Sequence, residues 1–131
     1  MTYYTETGGR PRPGAGFALW SWFFMRVSGI ILVFLVLFHL LWMHLYIGLD
    51  NITYETIVNR WTGPLGAFWR MYDLIMLVFA FTHGMNGVRW VIEDYVRHQG
   101  WRLALTSALA VVYVVVLLLG AYIIFAFPVV E

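Results

Sequence analysis

The sequence predicts an all-α membrane protein with three transmembrane helices, and three observations carry that reading. Of 131 residues, 62% are hydrophobic and 11% charged, too little polar surface to cover the core of a water-soluble domain of this length. Three apolar segments reach the roughly 20 residues needed to cross a hydrocarbon core. The arginines are grouped at the ends of those segments rather than scattered. A lone strand in lipid leaves backbone groups unpaired, so the spans are helices even where Val and Ile runs would favour strand in water.

Taken in order, residues 1–19 form a polar, Gly- and Pro-rich N-terminal arm opening with "MTYYTETGGRPRPGAG". It lacks the basic, apolar, small-residue order of a cleaved signal peptide and is expected to be cytoplasmic, draped on a partner. One transmembrane domain follows, over residues 20–130. Its first span covers about Trp20–Ile47, around "IILVFLVLFHLLWMHLYI". The connection from Gly48 to Gly66 is long, and "NITYETIVNRW" within it has the periodicity of a short surface helix. The second span covers about Trp69–Ile92, purest at "LIMLVFAF". The third, about Leu103–Phe127, contains "LAVVYVVVLLLGAYIIFAF" and carries no charge. No internal repeat is visible.

Arginine placement sets the orientation. Arg10, Arg12 and Arg26 precede or open the first span, and Arg89, Arg97 and Arg102 cluster between the second and third. The first connection holds only Arg60 and Arg70, against Asp50, Glu55 and Asp73. The expected location is therefore the cytoplasmic (inner) membrane, with the N-terminus inside and the C-terminus outside. The pairs Trp20/Trp22, Trp61/Trp69 and Trp90/Trp101 fall where aromatic belts meet headgroups.

Composition also excludes. Cysteine is absent, which removes disulfides, thiolate metal sites and cysteine nucleophiles. No phosphate-binding loop, dinucleotide fingerprint or HExxH helix occurs. A net charge of +1 gives no footprint for nucleic acid. The third span has neither ionisable group nor break, so it offers no midplane transport site.

The chemistry then rests on histidines. Ionisable groups inside a span are costly and have a partner or a task. His98 lies in the polar second connection and His44 near the outer end of the first span, both within reach of water. His83 and His39 are deeper. With Arg89 and Arg26 marking the inner boundary, His83 sits about 9 Å and His39 about 20 Å into the membrane. That difference of about 10 Å prevents both from holding one metal within this chain. A neutral imidazole is a good haem ligand, and Gly84 and Gly87 remove bulk beside His83, so a flat macrocycle or a helix could approach. Arg26 and Arg89 stand where propionates would emerge. On chemistry alone the bland alternative stays open: an intramembrane histidine bonded across helices, with a small-residue packing face.

At "HGMNGVRWVIEDYV" the chain resembles the second helix of the small hydrophobic membrane anchor of succinate dehydrogenase (complex II), a family of cytochrome b556 type. That family follows a haem-ligating histidine with an Asp-Tyr pair, and here His83 is followed by Asp94 and Tyr95 at the family spacing. The stretch "WFFMRVSGIILV", with its Arg26-x-Ser28-Gly29 motif, resembles the family's first helix. The resemblance implies half of a heterodimeric cytochrome b helical bundle, completed by a second membrane-anchor subunit. It implies haem b with His83 as one axial ligand, and a quinone, menaquinone or ubiquinone, hydrogen-bonded by Tyr95. Asp94 would support the quinone-site network, Arg26 a propionate or the quinone vicinity, and Arg89, more weakly, a propionate. Ser28 is a weak quinone-site candidate. His39 departs from the single-haem pattern and is the candidate ligand of a second haem. The implied partners are the second membrane anchor, the iron-sulfur subunit, the flavoprotein and the lipid bilayer. Another quinone-linked b-type cytochrome anchor and a haem-free scaffold remain the rival readings.

Overall fold

A computed structural model describes residues 16–126; residues 1–15 of the N-terminal arm, with Arg10 and Arg12, and the expected end of the third span at Phe127 lie outside the described residues. The elements are helices throughout. Helix α1 (Phe17–Leu41) runs into a wider π-helical segment (Trp42–Gly48) and a 3-10 turn (Leu49–Asn51). Helix α2 (Tyr54–Thr62), α3 (Gly66–Tyr95) and α4 (Gln99–Ala126) follow. The three long helices, α1 with its extension, α3 and α4, are long and apolar enough to cross a membrane.

Each span is longer than its hydropathy core. The first helix starts at Phe17, before the expected Trp20, and the third at Gln99 rather than Leu103. The second begins with Gly66 and ends with Tyr95, so the Asp94-Tyr95 pair belongs to α3 itself. Only Val96–His98 separate α3 from α4. Polar end residues continue a helix that is already nucleated, because each adds a hydrogen bond for one residue fixed.

The expected surface helix forms as α2. Thr53 caps it: its hydroxyl accepts from the Thr56 N–H and the Thr56 hydroxyl accepts from the Thr53 N–H, satisfying donors the first turn leaves free. It packs on its own chain, burying Val58 and Trp61. Gly63-Pro64 ends it, and α3 restarts so close that a Cβ at Gly66 would collide with the Trp61 carbonyl. Only glycine fits there.

Helix α3 runs between α1 and α4. Its contacts with α1 and the start of its π-helical extension recur at Ser21, Phe24, Ser28, Leu35, Phe38 and Trp42, one stripe at helical spacing. On its other side Thr82 bonds Tyr113 at 3.0 Å, Phe81 stacks on Tyr113, and Leu77 lies against Gly120. Small residues and polar side chains are how helices associate where burial from water supplies no drive. The α3–α4 end is tied by Arg70, which donates to the carbonyls of Trp61 at 3.0 Å and Phe125 at 3.2 Å.

One aromatic expectation is corrected. Trp61 and Trp69 do not belong to a headgroup belt; they are buried, with Ile124, in the most enclosed apolar cluster of the described residues. The Trp61 N–H finds a carboxylate there (below) and Trp69 stacks on Phe38 and packs at a tilt against Trp42, so both rings are used for packing. Trp20 and Trp101, by contrast, are exposed as a belt requires.

Candidate functional site

Two polar clusters cross the α1–α3 seam, one at each end of the bundle. The first is built on His83. Its Nδ1 lies 2.8 Å from the Ser28 hydroxyl, and Ser28 is the one side chain among the described residues that is fully buried. The Cε1 edge of the ring lies over Gly29, 3.4 Å from where a Cβ would stand. Beside it Gly84 is exposed and would meet nothing within 4 Å. The ring is thus held on one nitrogen and flanked by open space, while Nε2 makes no hydrogen bond among the described residues.

One to two turns further along α3, Asn86 and Arg89 converge on α1. Ser21 donates to the Asn86 carbonyl oxygen at 3.1 Å, or accepts from its amide at 2.8 Å, and accepts from Arg89 Nη2 at 3.2 Å. Arg89 also approaches Glu93 at 3.7 Å and covers the Phe17 ring, while its Nε is buried without a partner. Arg26 is elsewhere: exposed on α1, with its guanidinium 4.3 Å above Trp22.

The second cluster surrounds Asp73, buried at 7% exposure. Its Oδ2 accepts from Arg60 Nη2 at 2.5 Å and from the Trp61 indole at 2.7 Å. Its Oδ1 has no hydrogen bond and faces His39 Nδ1, also unbonded, at 3.7 Å. Tyr72 stacks on His39 and donates to the Leu35 carbonyl. The π-helical winding of α1 brings Met43 inward, where its Sδ accepts from Arg60 Nη1 at 3.4 Å. A cleft of about 510 Å³ between the helices is lined by His39, Arg60 and Asp73 among apolar side chains.

The register of the seam revises the depth expected for the two histidines. Ser28 is level with His83, and Asp73 with His39. Ten residues of α3 separate those levels, about 15 Å rather than 10 Å. The conclusion that one metal cannot take both rings is strengthened.

A family model described as the succinate dehydrogenase/fumarate reductase transmembrane subunit matches residues 9–121, nearly the whole chain. The chain belongs to that family. Similarity to a curated relative agrees: a Thermoplasma acidophilum protein described as a succinate dehydrogenase hydrophobic membrane anchor subunit is 26% identical over 98 residues, covering 75% of this chain and 77% of the relative. This anchor-family chain has both polar clusters inside the matched region.

Within the family member, the residues singled out from sequence fall into three places. His83 and Ser28 meet. Arg89 bonds Ser21, approaches Glu93 and keeps an unpartnered Nε, and Arg26 is exposed over Trp22. Asp94 and Tyr95 end α3, about 18 Å along the axis from His83; Tyr95 is 82% exposed, and neither makes a side-chain hydrogen bond among the described residues. His44 bonds the Leu40 carbonyl one turn back and His98 is exposed in the short linker. Sequence reasoning misses Asp73 and Arg60, which read as connection charges. The signal is present all the same: Asp73 lies within the span predicted for Trp69–Ile92, and an intramembrane carboxylate demands a partner.

Proposed function

We propose that this anchor protein binds haem b through His83 and contributes Tyr95 to a quinone-reduction site in a succinate:quinone oxidoreductase. The observation that carries the reading is the Ser28–His83 hydrogen bond. An axial imidazole needs one nitrogen free for iron and the other oriented by a partner. His83 has that arrangement, with glycine on the adjoining flank to admit a flat group.

When bound, haem would supply a one-electron redox site. The protein's own residues do the rest. Helices α1 and α3 hold the imidazole in one orientation and keep water from Nδ1, since Ser28 is sealed. Arg89, with an unpartnered Nε, and Arg26 offer guanidinium groups to propionates. The Tyr95 phenol, free at the end of α3, donates its hydrogen bond to a quinone carbonyl, and the Asp94 carboxylate supports that network. A second histidine ligand would come from a second membrane anchor, and electrons would come from succinate through the flavoprotein and the iron-sulfur protein. Those dock on the α3–α4 side, where Arg89, Arg97 and Arg102 set the inner face of the cytoplasmic membrane.

Two measurements test this. The purified complex shows a b-type band in its reduced-minus-oxidised spectrum; its absence removes the haem reading and leaves a scaffold. Tyr95→Phe lowers quinone reduction by about 10-fold or more, by analogy with loss of one positioned donor, while succinate oxidation by an artificial acceptor is retained. Equal loss of both activities indicates misassembly and no quinone contact.

The second cluster supports a further haem on His39. Its Nδ1 faces a carboxylate, a common orienting partner of a metal-ligating histidine, at a level well separated from His83. The expected haem content is two per complex, falling to one in His39→Ala. A wild-type content of one leaves His39 as a partner of Asp73 alone.

A further inference from the structure

The geometry points to Ser28 as the positioning residue of the His83 ligand: its hydroxyl accepts the Nδ1–H proton, fixes the ring's tautomer and sets the donor strength of Nε2. The inference rests on the haem reading above and replaces the quinone-contact role that the Arg26-x-Ser28-Gly29 resemblance implies.

Four observations support it. The Oγ–Nδ1 distance is 2.8 Å, within the range of a well-formed hydrogen bond. Ser28 has 0% exposure, so no quinone in the bilayer and no water reaches its hydroxyl. A serine inside a membrane helix ordinarily bonds back to its own helix at the carbonyl four residues earlier; here the hydrogen bond found for Ser28 crosses to another helix. Finally, Gly29 lets the ring edge settle on α1, with a Cβ position only 3.4 Å from Cε1, so ring and hydroxyl are brought together by backbone approach.

The chemistry follows from the tautomer. Coordination through Nε2 requires a lone pair there, so Nδ1 must carry the proton and be the donor. An acceptor on that proton raises the basicity of the opposite nitrogen. A more basic ligand favours ferric over ferrous iron, so the bond holds the haem potential down. A neutral hydroxyl does this more gently than the carboxylate facing His39, and the two histidines are thereby built to different donor strengths.

The test is Ser28→Ala in the assembled complex, read by potentiometric titration of the b-type band and by the low-spin EPR signal, with Tyr113→Phe as a control that breaks the Thr82 bond on the opposite side of α3. Expected are a more positive midpoint potential, a shifted or broadened EPR signal as the ring loses its fixed plane, and haem loss accelerated about 10-fold or more, the usual scale for losing such a partner. Ser28→Cys, which fits the same space with a weaker acceptor, falls between. The Tyr113→Phe control keeps the wild-type potential and signal. An unchanged potential and EPR signal in Ser28→Ala overturns the inference even where His83→Ala abolishes the haem, which leaves the ligand reading standing. Haem retained in full by His83→Ala overturns both. Identical shifts in Ser28→Ala and Tyr113→Phe also overturn it, because they report loosened packing.

Discussion

Asp73→Ala is expected to destabilise the chain by about 3–5 kcal/mol, the usual consequence of removing one partner from a buried ion pair. The Arg60 and Asp73 side chains are 7% and 8% exposed, and the carboxylate is also the acceptor for the Trp61 indole. Its loss leaves the Arg60 guanidinium without its carboxylate in an apolar surround and takes an acceptor from the Trp61 indole. Because Arg60 and Trp61 belong to α2 and Asp73 to α3, the damage falls on the docking of α2 against the bundle. Replacing both charges with apolar residues of similar size, as in the Arg60→Met/Asp73→Leu double variant, is expected to recover most of the loss, since the desolvation penalty disappears with the charges. Thermal unfolding of the detergent-solubilised complex, with protease cleavage of the α1–α3 connection as a local readout, checks both. A double variant as unstable as the single one contradicts the ion-pair explanation.

His83→Ala has the second large effect, and it is of a different kind. The substitution removes a half-buried ring and the partner of Ser28, but the seam retains Asn86, Arg89 and Ser21, the Phe24–Phe79 contact and the whole Asp73 cluster. Assembly is therefore expected to survive while the proposed iron ligand is lost. On the proposed function, a haem left with a ligand from the second anchor alone would be expected to leave during purification. The residual rate of quinone reduction in that variant would then measure how far the proposed haem is needed for turnover.

Much of the fold is legible in the sequence because lipid leaves few choices. Apolar length selects the three spans, and the periodicity of 51–61 announces α2. Helix ends are less legible, since hydropathy marks the oily centre and the backbone continues past it, as Gln99–Arg102 and Glu93–Tyr95 show. The site is legible in its residues and not in its pairings. His83 stands out as an imidazole in a greasy segment, but its contact with Ser28 spans 55 positions and depends on the antiparallel register of α1 and α3. Asp73 sits near a connection, where charge is ordinary; what distinguishes it is the return of α2 over the helix end, made possible by the close approach at Gly66. Trp61 and Trp69 illustrate the same point: near a span end, tryptophan reads as a belt until the tertiary fold covers it.

The central claim is that His83 holds iron, and the reduced-minus-oxidised optical spectrum of the assembled His83→Ala complex tests it most directly. The expected result is loss of the b-type absorbance contributed at this level, with the same set of polypeptides eluting together from a sizing column. A spectrum identical in amplitude and position to that of the unsubstituted complex contradicts it.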